Sequence, residues 1–204
     1  LVRLNGTTTG IVANRTAKFD ESGKKSAEYD SVLTPAGCDK AAKFVSFCDA
    51  FNIPVITLTN VTGFASCECC EKKIAGAAAK LAFAFADADV PKINVVIGNA
   101  MGSAYNVMNS KGIGADLTIA LPDSKIGIMD AKLAASIIAD GKSADEVADT
   151  AKKFDALQNS VDSAASRGYI DEIVNPEDLR KYLIGAVEML YTKQAIVEKK
   201  HGTV

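Results

Sequence analysis

Residues 98–116 read GNAMGSAYNVMNSKGIGAD, with glycines at 98, 102, 112 and 114 and mostly small residues between them. They follow an apolar run, KINVVIG, and turn toward a helix. A second run, IPVITLTNV, leads into NVTGFAS at 60–66. Neither loop carries a His, Glu or Cys. What such a junction offers is its main chain. The first N–H groups of a helix have no intrahelical acceptor, and glycine or alanine beside them lets a ligand oxygen come close. In both loops, 60–66 and 98–105, this supports stabilisation of a developing oxyanion by backbone donors. Close strand–helix packing is the other use of the same glycines, and both readings stay open on these residues alone.

Side-chain chemistry is harder to assemble. Gly98–Tyr105 is not G-x-G-x-x-G, has no P-loop Lys-Ser/Thr, and does not place Ser103 in a G-x-S-x-G elbow. The single histidine is His201 in the tail, so Ser-His-Asp and Cys-His mechanisms lack their base. Asp130 follows GIM at a helix start and serves either as a site carboxylate or as the N-cap of that helix. Five cysteines stand at 38, 48, 67, 69 and 70. CECC invites a metal, but a structural zinc site draws four ligands from two arms. Cys38 and Cys48 share one expected helix and make no second arm. The expectation is therefore no metal, reduced thiols, and no disulfide framework from an odd count.

The elements that would position these loops follow from periodicity. LVRLNG and TTTGIVAN read as paired strands, and 15–33 as a polar surface excursion. A helix after Pro35 puts Ala41, Phe44, Val45, Cys48 and Phe51 on one face. A strand through 53–61, a loop at 62–68, a long Ala-rich helix to 89 and the strand KINVVIG follow. Residues 98–116 are expected as loop plus helix. Two strands at 115–122 and 124–130 lead to a helix from Ala131 to Ile138. Ser143 and Glu146 form a capping box for the next helix. NSVDSAASRG is a further helix, YIDEIVNP a short strand, and a final helix begins near Pro176 with Asp178 in its first turn and runs into the tail. Alternating strands and helices give an α/β layered domain spanning 1–204. The chain is 48% hydrophobic with net charge −2, which leaves room for a core and gives no footprint for nucleic acid. Interrupted apolar runs and the absence of a visible signal peptide predict a cytoplasmic protein without membrane insertion. The start at LVRLNG, without Met, suggests a piece of a longer polypeptide.

PVITLTNVTGF, followed by GAAAKLAFAFADADVPKINVVIGNAMGSAYNVMNSKGIGADLTIALPDSKIGIMDAKLAASII, resembles the carboxyltransferase component of biotin-dependent acyl-CoA carboxylases and decarboxylases. The family pattern runs V-P-G-F, G-A-K-L-L-Y-A-Y-A, V-P-K, R-K-A-Y-G-G-A-Y, M-x-S-K, G-A-D and M-G-A-x-G-A. The order holds from about Leu1 to the final helix and looks like the C-terminal half of that component. The resemblance implies a crotonase-like α/β fold, a spiral of ββα units. It further implies biotin on a separate carrier domain or biotin carboxyl carrier protein, an N-terminal carboxyltransferase half that holds acyl-CoA, and a homo-oligomer. The active site would lie between the N half of one subunit and the C half of another.

By the same resemblance, Ser103 and Ala104 supply the N–H donors for the biotin oxyanion, and Gly102 allows the approach. Gly63, Phe64, Met101, Tyr105, Asp130 and Ala131 border biotin or substrate, and Asn106 is a specificity position. Carboxyl transfer generates two oxyanions, one on the biotin ureido group and one on the thioester enolate. Such intermediates want preorganised donors more than acids. The sequence departs from the pattern at Gly98-Asn99 for R-K, at Gly76-Ala77 for R-H, and at Ser103 for glycine. Val61-Thr62-Gly63-Phe64 replaces V-P-G-F, and Met129-Asp130-Ala131-Lys132-Leu133-Ala134 replaces M-G-A-x-G-A. Two alternatives stand beside this reading: a biotin-independent hydratase or isomerase using Asp130, and a non-catalytic scaffold subunit.

Overall fold

A computed structural model of the chain describes residues 1–193; His201 and the end of the tail lie outside them. Strands β1 (Val2–Leu4) and β2 (Thr7–Ala13) pair antiparallel across Gly6, as the sequence predicts. The excursion at 15–33 is more ordered than expected. It holds a bulged hairpin of β3 (Ala17–Phe19) and β4 (Lys25–Glu28), then β5 (Val32–Leu33). Helix α1 (Pro35–Ala50) starts where Thr34 accepts the Gly37 N–H at 3.1 Å and Pro35 has no N–H to satisfy.

Strand β6 (Val55–Val61), the two-residue β7 (Gly63–Phe64), helix α2 (Glu68–Asp87) and strand β8 (Lys92–Met101) follow. Then come helix α3 (Gly102–Val107), a 3₁₀ turn (Lys111–Ile113), β9 (Leu117–Ala120) and β10 (Lys125–Gly127). The remaining elements are α4 (Ala131–Ile138), α5 (Ala144–Phe154), a π turn (Asp155–Asn159), α6 (Val161–Ser166), β11 (Glu172–Ile173) and α7 (Leu179–Met189). The Ser143–Glu146 capping box is present. The final helix starts three residues later than expected, after a turn at Pro176–Asp178.

The main sheet runs β1-β2-β6-β8-β9-β11, with β10 also on β8. Side chains of β6 alternate between two cores, as a strand period of two requires. Val55 and Val61 face α1, α2 and α3, whereas Ile56 meets Ile93, Val95 and Ile119 beneath α7. Helix α1 buries Cys38, Ala42, Val45 and Cys48. Phe51 does not join them: it is 64% exposed at the end of the helix, its ring tilted against that of Phe47. Cys48 lies so close to β2 that a Cβ at Gly10 would come within 2.6 Å of its Sγ.

At the N-terminal ends of the strands, buried Lys92 donates to the Phe85 carbonyl at 2.6 Å. Asp116 accepts from the Lys92 N–H and from Lys193 Nζ, both at 2.8 Å, and so ties β8 to the segment after α7. Burial, reinforced by the Lys193 charge, lowers the Lys92 pKa. Asp116→Ala leaves these donors without their acceptor and is expected to destabilise the fold by about 2–3 kcal/mol. The measurement is urea unfolding, where the midpoint should fall with the slope unchanged.

Candidate functional site

The parallel strands β6 and β8 end side by side, with Val61 opposite Ala100, so the two loops singled out by sequence do open at one edge. Strand β8 runs three residues further than expected, to Met101. Its first half pairs with β9, and Asn99, Ala100 and Met101 pair with Lys125, Ile126 and Gly127 of β10. GNAM is therefore strand, held by a partner about 26 residues downstream, and the backbone turns only at Gly102.

Gly102 adopts φ +58°, which an L side chain rarely takes, and a Cβ there would lie 2.9 Å from the Ile128 carbonyl oxygen. Met101 is the N-cap of α3, and no side chain caps the helix. Ser103 is exposed, Ala104 is buried beneath it and Asn106 is exposed. With six residues α3 has little macrodipole; what it presents is its leading N–H groups. Thr59 Oγ1 bonds Asn94 and approaches the Met108 carbonyl at 3.5 Å, which anchors the far end of α3.

Two further segments flank the helix start. Gly63 and Phe64 pair with Val32 and Leu33, and this short ladder packs against α3. On the other side Ile128–Ala131 follows β10. Asp130 caps α4, accepting from the N–H groups of Lys132 at 2.9 Å and Leu133 at 3.4 Å, and Ala131 is buried. The residues predicted from sequence thus surround the start of α3, with Met101 and Tyr105 buried under it. Burial, with Asp171 as a second cause, pushes the Tyr105 phenol up to about 12, so it neither gives nor takes a proton near neutral pH.

Two supporting asparagines were not foreseen. Asn159, in the π turn, donates to the Met129 carbonyl at 3.1 Å and fills the space where a Gly127 side chain would stand. It fixes the loop that carries Ile128. Asn60 accepts the Asn99 N–H at 3.0 Å, and its own N–H is held by Asn14 at 3.1 Å. A Cβ at Gly98 would lie 2.6 Å from Asn60 Oδ1. The available signal was an asparagine at the end of each of three neighbouring strand runs, at 14, 60 and 99.

The cysteines need a correction. Cys38 and Cys48 are buried thiols, and burial pushes Cys38 up to about 11. Cys67 and Cys70, however, are joined as a disulfide at the start of α2, where reduced thiols were expected. Cys69 stands beside them, so three sulfurs converge from one arm.

The carboxyl transferase domain family matches residues 1–204. The chain belongs to the carboxyl transferase family. It is 36% identical to the propionyl-CoA carboxylase beta chain of Saccharopolyspora erythraea, over 99% of this chain and 37% of that protein. To the methylmalonyl-CoA carboxyltransferase 12S subunit of Propionibacterium freudenreichii subsp. shermanii it is 37% identical, over 98% and 38%. A transcarboxylase 12S crystal structure, described as a hexamer with methylmalonyl-coenzyme A and methylmalonic acid bound, superposes with a TM-score of 0.87 at 37% identity. That match covers 98% of this chain and 38% of the other. The fold is crotonase-like, as the resemblance implied. The chain spans 37–39% of the length of these curated relatives and of the methylmalonyl-CoA decarboxylase subunit alpha of Propionigenium modestum. Among the described residues no helix is long and apolar enough to cross a membrane.

Proposed function

We propose that residues 1–204 form the C-terminal, biotin-facing domain of an acyl-CoA carboxyltransferase, working as carboxylase or decarboxylase with an N-terminal half that binds acyl-CoA. The observation that carries this reading is the uncapped start of α3. Its N–H groups lie at the C-terminal edge of β6, β8 and β10, and Gly102 brings no side chain between them and the Ile128 carbonyl, which a Cβ there would meet at 2.9 Å. This arrangement fits an oxyanion ligand such as the ureido group of biotin, which supplies the carboxyl carrier and bears negative charge as the carboxyl group departs. Ser103 and Ala104 donate main-chain N–H groups to that oxygen. Gly63 and Phe64 wall one side, and Ile128–Ala131 the other. Asn106, exposed one turn on, borders the acyl group.

Relatives named for propionyl-, acetyl- and methylmalonyl-CoA make these the acyl groups of choice, and a separate biotin carboxyl carrier protein would deliver the cofactor. The site is open on its outer side. Ile128, Leu133, Ile137 and Ile138 are 55–77% exposed on and before α4, an apolar face suited to a second half-domain or a second copy. Asp130 is committed to its helix cap, which tells against a biotin-independent hydratase that would use it as base.

The test combines this domain with its natural N-terminal half and follows decarboxylation of malonyl- or methylmalonyl-CoA with and without free biotin. Biotin-dependent turnover is expected; turnover that ignores biotin would sink the reading, and none at all would favour a scaffold subunit. In the same assay Ser103→Ala should stay within about threefold of wild type, because the donor is main chain rather than the hydroxyl. Asp130→Ala should lower stability by about 1 kcal/mol through the lost cap while biotin-dependent turnover persists.

A further inference from the structure

We propose that Cys67 and Cys70 form a reversible dithiol–disulfide site, with Cys69 as its neighbouring exchange thiol, whose substrates are low-molecular-weight thiols and disulfides. The site is independent of the carboxyl-transfer reading. Cys67 is the N-cap of the 20-residue α2 and Cys70 is three residues on, so helix geometry itself brings their Cα atoms to 4.9 Å, within the usual range for a disulfide. The pair therefore opens and closes without movement of the backbone. Cys69 Sγ lies 3.3 Å from Cys67 Sγ, and all three sulfurs lie within 4.8 Å of one another.

Access and environment single these sulfurs out among the five cysteines. Cys67 and Cys69 are exposed and Cys70 is half-buried, whereas Cys38 and Cys48 are sealed in the core. Cys67 Sγ accepts the Cys70 N–H at 3.1 Å at the start of α2. Lys73 and Lys72, the latter paired with Glu68 at 3.4 Å, line the same shallow depression as Cys69 and place positive charge beside it, which suits an anionic thiol such as glutathione. The chemistry balances as two exchanges. A thiolate attacks Cys67 Sγ, the Cys67–Cys70 bond breaks, and Cys70 leaves as a thiolate that takes a proton from water. A second thiol then attacks the mixed disulfide and releases Cys67, so two thiols become one disulfide while the protein disulfide becomes two thiols. Excess disulfide drives the reverse. Cys69, in contact with Cys67, accepts and returns the bond within the protein. Closing the bond locks the first turn of α2, three residues after Phe64.

Differential alkylation with peptide mapping tests this on the full polypeptide. After equilibration with glutathione disulfide, Cys67 and Cys70 should be blocked together while Cys69 reacts, and dithiothreitol should restore all three. Cys69→Ser should keep the pair and slow its formation at least tenfold. The proposal is overturned if all three thiols remain reactive in glutathione disulfide, if a stable mixed disulfide with glutathione is the end product, or if stoichiometric zinc survives dialysis and protects all three together.

Discussion

Gly102→Ala is expected to lower biotin-dependent turnover by about 10²–10³-fold, the range seen when one oxyanion donor is lost. Two independent constraints meet at this residue. Its φ of +58° lies in the left-handed region, where a side chain costs about 1–2 kcal/mol. The new Cβ would also stand 2.9 Å from the Ile128 carbonyl, which is backbone and belongs to the opposite wall. Relief requires either the start of α3 to rotate or the Ile128–Ala131 loop to retreat, and either movement misaligns the Ser103 and Ala104 donors. Asn159 resists the second route by holding the Met129 carbonyl. Because the strain is local, the thermal midpoint should drop only a few degrees while kcat collapses. Gly76→Ala is the matched control: its Cβ meets nothing within 4 Å on an exposed stretch of α2, so stability should rise by up to about 1 kcal/mol and activity stay unchanged. A Gly102→Ala protein with wild-type kcat would remove α3 from the chemistry.

How far the sequence disclosed this site depends on the range of the interactions that build it. Helix α1, helix α2 and strand β6 declare themselves by local periodicity, and Ser143 and Glu146 announce their cap within four residues. The end of β8 does not. GNAM has no β-branched residue, and it is extended only because β10 supplies the partner. The φ of Gly102 is equally silent, since glycine at a strand–helix junction is compatible with several conformations. Phe51 was misplaced because its helical spacing suited the core, but α1 ends at Ala50 and turns its last ring outward. The cysteines were misread through counting: an odd total excludes a fully paired framework, yet not one pair set by the first turn of a helix. Asn60 and Asn159 were hidden because asparagine at a strand end or turn ordinarily signals a surface loop. Here they work as acceptors and donors between segments far apart in sequence, and only the folded chain shows the partner.

The same logic gives the second large effect. Where the family pattern carries R-K, this chain has Gly98-Asn99, and the space beside Gly98 is already filled. A Cβ at 98 would meet Asn60 Oδ1 at 2.6 Å and Cγ at 2.9 Å. Asn60 cannot swing aside freely, because Oδ1 holds the Asn99 N–H and the neighbouring backbone is clasped by Asn14. Gly98→Ala should therefore cost about 2–3 kcal/mol by overpacking and by loss of that acceptor. Asn60→Ala alone removes one hydrogen bond and should cost about 1 kcal/mol. On the Asn60→Ala background the space is open, so adding Gly98→Ala should cost almost nothing more. A coupling energy of about 2 kcal/mol between the two sites, read from urea unfolding of the four proteins, is the expected result; simple additivity would refute the contact. The pair then predicts more than stability. If Asn60 and Gly98 replaced a cationic position together, Gly98→Lys should fold only when Asn60 is also Ala. In that double variant the new ammonium would stand at the C-terminal edge of β8, four residues before the start of α3, where its charge would raise affinity for an anionic carboxyl donor and add a salt dependence to KM that wild type lacks.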